Sequence, residues 1–203
     1  MRFSRPIRIA GVALLALALT HCANTPDQSL SARVDRERQL RSLNNWQMRA
    51  KLGVRGPEDS GSASFLWRQW PARFRIQMSG PLGQGKMILR GGARGASLER
   101  AGEPTLRANS PQQLLYQTTG WQVPLSQLVD WVRGLPAENL PAQAVGRDER
   151  GFINELYQGG WHLTYGDYRR HDGLALPERI VAERGEVRLV LAIHDWDLTP
   201  DDD

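Results

Sequence analysis

Cys22 is the only cysteine in this 203-residue chain. A single thiol excludes an internal disulfide and any zinc site built on paired cysteines. Histidine is nearly as sparse: His21, His162, His171 and His194 are scattered, and no two have the spacing of metal ligands. Only one apolar run is long, and it lies at the extreme N-terminus, so a polytopic membrane protein is excluded. With 40% apolar and 24% charged residues, and no glycine period, the chain is neither disordered nor collagen-like. What is left has room for one domain of ordinary size with its own core.

Catalytic signatures are missing as well. There is no G-x-S-x-G elbow, H-E-x-x-H helix or setting for a catalytic cysteine. Carboxylates such as Glu155 and Asp167 cannot be paired from sequence, so a glycosidase-like pair is neither supported nor excluded. Gly80-Pro81-Leu82-Gly83-Gln84-Gly85-Lys86 matches G-x-x-x-x-G-K, but Met87 stands where the hydroxyl that ligates Mg²⁺ belongs. A phosphate loop must also open a helix, whereas Lys86 to Arg90 reads as a strand. The nucleotide reading fails. His194-Asp195-Trp196-Asp197 reads as the polar terminus of a strand rather than a metal site. The sequence gives no positive evidence for an enzyme and implies no cofactor or metal.

The N-terminus carries the plainest signal. Arg2, Arg5 and Arg8 form a basic leader, and Ile9 to Leu19 is unbroken by any charged or strongly polar residue. That pair of features marks a secretory signal, and the run is too short to span a bilayer as a helix. Cys22 then stands where a bacterial lipobox places the cysteine that receives diacylglycerol, with Leu19 three residues before it. His21 departs from the small residue usual before that cysteine, and Ala16-Leu17-Ala18 offers an ordinary cleavage site as the alternative. Ala23 after the cysteine resembles lipoproteins sent on to the outer membrane. The net charge of +4 rests largely on this leader: three of the 26 basic residues lie in it, leaving 23 against 22 acidic ones. With charges interspersed and no basic stripe interleaved with aromatics evident in the sequence, nucleic-acid binding loses its support.

Beyond the leader, Leu30, Val34, Leu40 and Leu43 suggest a helix capped at Ser31. From Trp46 the period becomes two. Trp46, Met48, Ala50, Leu52 and Val54 share one face; Ala63, Phe65 and Trp67 share the next, then Phe74, Ile76 and Met78. Short strands follow over Lys86–Arg90 and around Ala96–Glu99, with glycine-rich turns between them, as in an antiparallel meander. Ser110-Pro111 opens a helix anchored by Leu114 and Leu115. Leu125, Leu128, Val129 and Val132 form a second, stopped at Gly134-Leu135-Pro136. From Phe152 the two-residue period returns: Trp161, Leu163 and Tyr165, then Ile180 and Ala182, and finally Val187, Leu189, Leu191 and Ile193. Asp201-Asp202-Asp203 reads as a solvated end. The sum is one β-rich domain with two or three helices laid across a sheet.

Seven tryptophans are many for such a domain. They fill a core, or with Met48, Met78 and Met87 they line an adaptable apolar cavity.

Several segments, taken in order, resemble the LolB family of outer-membrane lipoproteins. They are Trp67-Arg68-Gln69, Gly80-Pro81-Leu82-Gly83, Gly120-Trp121-Gln122-Val123-Pro124-Leu125, Trp131-Val132-Arg133-Gly134-Leu135-Pro136, Gln158-Gly159-Gly160-Trp161, Leu176-Pro177 and Trp196. The resemblance covers roughly residues 40 to 198. It implies an incomplete, unclosed antiparallel β-barrel with a helical lid over an apolar cavity. It divides the chain into a signal peptide (1–21), a lipidated N-terminus with tether and start of a helix (22–40), a lipid-binding domain (41–198) and an acidic tail (199–203). It implies a monomeric receptor on the periplasmic face of the outer membrane, anchored in the inner leaflet through lipid on Cys22. The receptor would accept lipoproteins from the periplasmic carrier LolA, hold their acyl chains and insert them into the membrane. The family's membrane-delivery loop matches Pro81, Leu82 and Gly83. The alternative, a turn leucine folded back into the core, stays open. For the acyl-chain cavity the expected residues are Met48, Leu52, Phe65, Trp67, Met78, Trp131, Leu189 and Leu191. A soluble LolA-like carrier and a scaffold lipoprotein without transport activity are the rival readings.

Overall fold

The structure is a computed structural model, and it describes residues 26–57 and 60–201. Helix α1 (Pro26–Ser42) leads into a six-strand antiparallel meander: β1 (Trp46–Arg55), β2 (Ser60–Trp70), β3 (Arg73–Ser79), β4 (Met87–Gly92), β5 (Gly95–Arg100) and β6 (Leu106–Ala108). Helices α2 (Pro111–Thr119) and α3 (Leu125–Trp131) follow. A second meander closes the chain: β7 (Ala142–Arg147), β8 (Ile153–Gln158), β9 (Trp161–His171), β10 (Leu174–Arg184) and β11 (Val187–Asp197). The first and last strands, β1 and β11, pair at the centre, so all eleven form one antiparallel sheet in the order β6-β5-β4-β3-β2-β1-β11-β10-β9-β8-β7. Strands β6 and β7, consecutive in the chain, are the two edges; the sheet does not close, and α2 and α3 lie in the connection between those edges.

Alternation decides which face is inside. In β1, Trp46, Met48, Ala50, Leu52 and Val54 are buried, while Arg49, Lys51 and Arg55 are exposed. β11 keeps its apolar side inward through an irregularity. Arg49 faces Asp195 but Ala50 faces Ile193, so His194 is the extra residue of a β-bulge. The shift of parity lets Leu189, Leu191 and Ile193 and then Trp196 all point into the core. His194–Asp197 ends β11 as expected, with His194 and Asp195 exposed, and the one correction to a polar terminus is that Trp196 is buried.

The helices start and stop where local chemistry dictates. The Ser110 side chain accepts a hydrogen bond from the Gln113 amide at 3.3 Å, and Pro111 follows at the first helical position. Gly120, at φ 71°, ends α2 in the left-handed conformation, its N–H donating to the Tyr116 carbonyl. Leu114, Leu115, Leu125, Leu128 and Trp131 join the buried residues of both meanders in one apolar cluster. Helix α1 starts at Pro26, so Ser31 lies within it rather than at its cap. Of its apolar residues only Leu40 is fully buried, and Leu30 and Val34 are exposed. Strands β6 and β7 escaped the sequence reading because both are short edges with scarcely a buried residue to set a period.

Candidate functional site: an apolar interior and its exposed loop

The antiparallel register places the β1–β2, β3–β4 and β10–β11 turns at one end of the sheet. The connection between α2 and α3 comes to the same end. Trp121 lies against the start of β2 so closely that a Cβ on Gly61 would sit 2.8 Å from its ring. Gln122 Oε1 meets Arg184 Nη2 at 3.4 Å, and the Arg184 guanidinium lies 4.9 Å from the centre of the Trp161 ring. Between them is a shallow cleft of about 290 Å³, lined by Tyr116, Gln122, Val123, Pro124, Trp161 and Arg184 among others.

The β3–β4 connection stands out from that same end. Gly80 N–H donates to the Gln84 carbonyl at 2.8 Å and Gly83 N–H to the Gly80 carbonyl at 3.1 Å, closing Pro81–Gly83 into a tight 3₁₀ turn. Leu82 tops it, 98% exposed, with φ 59° and ψ 20°. A leucine in the left-handed region is disfavoured sterically, and an apolar side chain in water forgoes about 1.5–3 kcal/mol of burial. Both costs fall on one residue. Lys86 ends the loop and β4 follows, so no helix receives the G-x-x-x-x-G-K segment.

Inside, the eight residues expected around a cavity divide simply. Met48, Leu52, Trp67, Met78, Trp131, Leu189 and Leu191 are buried in the single apolar cluster, and Phe65 packs against it partly buried. None of them lines the small end cleft or a larger cleft on the outer face of β2–β6. They share that cluster with a set of aromatic rings in contact. Trp46 stands 5.4 Å from Trp67 and 5.3 Å from Trp196, ring centre to ring centre, and Trp131 stands 6.3 Å from Trp161. Trp121 packs partly buried, and Trp70 belongs to the outer face, stacked against Arg73 at 4.6 Å. Cys22 and His21 lie outside the described residues.

Two polar groups that sequence reasoning missed hold α3 in place. Gln158 is buried; its Oε1 accepts from Trp131 Nε1 and from the Ala137 amide, both at 2.8 Å. Its Nε2 donates to the Ala137 and Leu140 carbonyls at 2.8 and 2.6 Å. Arg133, also buried, donates to the Leu40 and Leu43 carbonyls at 2.8 and 3.0 Å and to Asp130 at 2.6 Å. Burial pulls the Arg133 pKa below its ordinary value, and Asp130 opposes that pull. The segments containing both had been noticed, yet no spacing rule reveals that they are buried. Across α2 the polar ties are lighter: Gln112 reaches Ser126 at 2.9 Å on the surface, and Leu114 and Leu115 supply the anchoring.

Among the described residues no group of three metal-ligating side chains comes together, and no helix is long and apolar enough to cross a membrane. What the fold offers is an unclosed sheet around an apolar interior, a helical cover pinned on one side, and an exposed leucine at the turn end of the sheet.

Comparison with known proteins agrees with that geometry. A family model described as outer membrane lipoprotein LolB matches residues 44–196. An outer-membrane lipoprotein LolB of Cellvibrio japonicus is 39% identical over 193 residues, covering 91% of this chain and 94% of that protein. One from Chromohalobacter salexigens is 40% identical, covering 94% and 90%. Among solved structures, a LolA superfamily protein of Nitrosomonas europaea superposes with a TM-score of 0.54 over 85% of this chain and 94% of its own, at 11% identity, a likeness of fold alone. By the family match and by these identities, the chain belongs to the LolB family of outer-membrane lipoproteins.

Proposed function

We propose that this protein is the outer-membrane receptor that takes lipoproteins from the periplasmic carrier LolA, shelters their acyl chains in its apolar interior and releases them into the membrane. The observation that carries the reading is Leu82: fully exposed, left-handed, and held at the rim of an apolar interior by a loop closed on its own backbone. Such a side chain gains free energy only when it meets another apolar phase.

Each methylene buried contributes about 0.8 kcal/mol, so the acyl chains of a lipoprotein do not cross water unaided. Transfer without a nucleotide then requires only that the receiver hold the chains better than the carrier, and the bilayer better than the receiver. The interior around Met48, Leu52, Phe65, Trp67, Met78, Trp131, Leu189 and Leu191 is packed, so acyl chains enter by displacing part of the cover. Helix α3 is fixed by Gln158 and Arg133, which makes α2, held mainly by Leu114 and Leu115, the element that yields. Lipid on Cys22 would keep the protein at the periplasmic leaflet, with Pro81-Leu82-Gly83 entering it.

The test is a handover. Labelled lipoprotein loaded on LolA is mixed with this protein and with its Leu82→Glu variant, and liposomes are then added. Cargo should move to both and pass to liposomes from the wild type alone. Absence of transfer to folded wild-type protein would overturn the receptor reading.

A further inference from the structure

The outer face of β2–β6 carries a feature that lipid handling inside the sheet does not use. The register there puts Gln47 opposite Arg68, Arg68 opposite Arg75, Arg75 opposite Arg90, Arg90 opposite Ser97 and Ser97 opposite Arg107. Like charges directly opposite on neighbouring strands destabilise a sheet, so three arginines on three adjacent strands are a cost to the fold. Arg73, at the start of β3, and Arg94, from the β4–β5 turn, complete six arginines lining one cleft of about 900 Å³. Among the described residues Asp201 is the one carboxylate lining it, and Glu99 is paired with Arg90. The Glu99 carboxyl titrates below its ordinary range, first through the hydrogen bond from Arg90, with the charges of Arg90, Arg75 and Arg107 adding to it against a smaller opposing effect of desolvation.

We propose that this arginine cleft docks an acidic segment of a partner protein. Two observations choose polypeptide over a membrane surface. The first is already in place: the chain after β11 reaches the cleft at Asp201, and the Pro200 and Asp201 carbonyls each accept from Arg68 at 3.0 Å. Asp201 is exposed, as expected of a solvated end, while its carbonyl accepts from Arg68; Asp202 and Asp203 lie outside the described residues. One guanidinium of the cleft therefore already holds backbone carbonyls of a polypeptide. The second is position. Arg75 lies four residues before Ser79, at about 3.3 Å per residue, so the row stands about 13 Å down β3 from the Leu82 loop. With that loop in lipid the cleft faces the periplasm, a step that rests on the receptor reading above. A concave site suits a protruding segment, and carboxylates suit the guanidinium fork.

The test uses the full-length protein in non-ionic detergent micelles and a fluorescein-labelled oligo-aspartate peptide, followed by anisotropy at low ionic strength. Binding should be saturable, weaken as salt screens it, and fall about tenfold in Arg75→Gln/Arg107→Gln, which keeps the wild-type melting temperature or exceeds it. No peptide binding, or equal binding by the variant, would overturn the proposal. So would binding of phosphatidylglycerol-doped micelles through these arginines when the peptide does not bind, which would assign the cleft to lipid headgroups. Uptake of a fluorescent fatty acid, measured alongside, separates the two readings. It should be the same in wild type and variant; its absence from both would remove the receptor reading and leave the peptide result standing.

Discussion

One residue separates the two faces of the first meander. Trp67, Ile76, Leu89 and Leu98 lie in register across β2–β5 on the inside, all buried. Their immediate successor or predecessor residues, Arg68, Arg75, Arg90 and Ser97, lie in register on the outside. The same strands with the same backbone pairing thus carry an apolar row and a cationic row back to back. The inner row is held by removal from water and by ring packing, and it gains from proximity. The outer row loses from proximity, a repulsion that the Glu99 pair of Arg90 and the carbonyls on Arg68 offset only in part. Stability is therefore lodged in the inner face, and the outer face is free to be selected for binding.

That contrast can be broken by substitution. The largest effect should come from the inner row: Trp67→Ala, at a site 2% exposed, is expected to cost about 3–5 kcal/mol in denaturant unfolding. Next comes Arg133→Ala, which strips partners from two carbonyls and leaves Asp130 without its pair in a mostly buried place; about 3 kcal/mol is expected, with α1 first to lose hydrogen-exchange protection. Leu82→Gly should leave stability unchanged or raise it by up to about 1 kcal/mol, because it relieves a left-handed leucine, yet abolish delivery to liposomes. A stability loss on that change would mean that the side chain packs in solution.

The smallest effects concern Tyr165. Its hydroxyl is buried with no hydrogen-bond partner among the described residues, and burial raises its pKa well above the ordinary tyrosine value; burial raises that of Tyr168 too. Both phenols are held neutral in the fold, so the unfolded chain loses these protons first. The stability they contribute is complete below about pH 10 and declines as pH rises above it. Tyr165→Phe should match or exceed the wild-type melting temperature at neutral pH and lose less of it at high pH.

Much of this was legible in the residues themselves. The two-residue period over Trp46–Val54 and over Val187–Ile193 marked the central strands, and Ser110-Pro111 marked the start of α2. The ordered short segments from Trp67 to Trp196 marked the family. The edge strands were not legible, because an edge with little burial has no period to read. Nor was the bulge at His194, which is an agreement between β11 and a partner strand at the other end of the chain. Gln158 and Arg133 looked like ordinary surface residues until the fold closed over them.

By itself the sequence determined the central strands of both meanders and the helices between them, because each follows from local propensity and period. Only the tertiary structure decided that β1 and β11 meet at the centre of the sheet and that both meanders share one buried apolar cluster. It alone sent Leu82 outward and set four arginines from four strands in one row. Those are matters of register between distant segments. Register is fixed by the burial of a whole face at once, which no single segment contains.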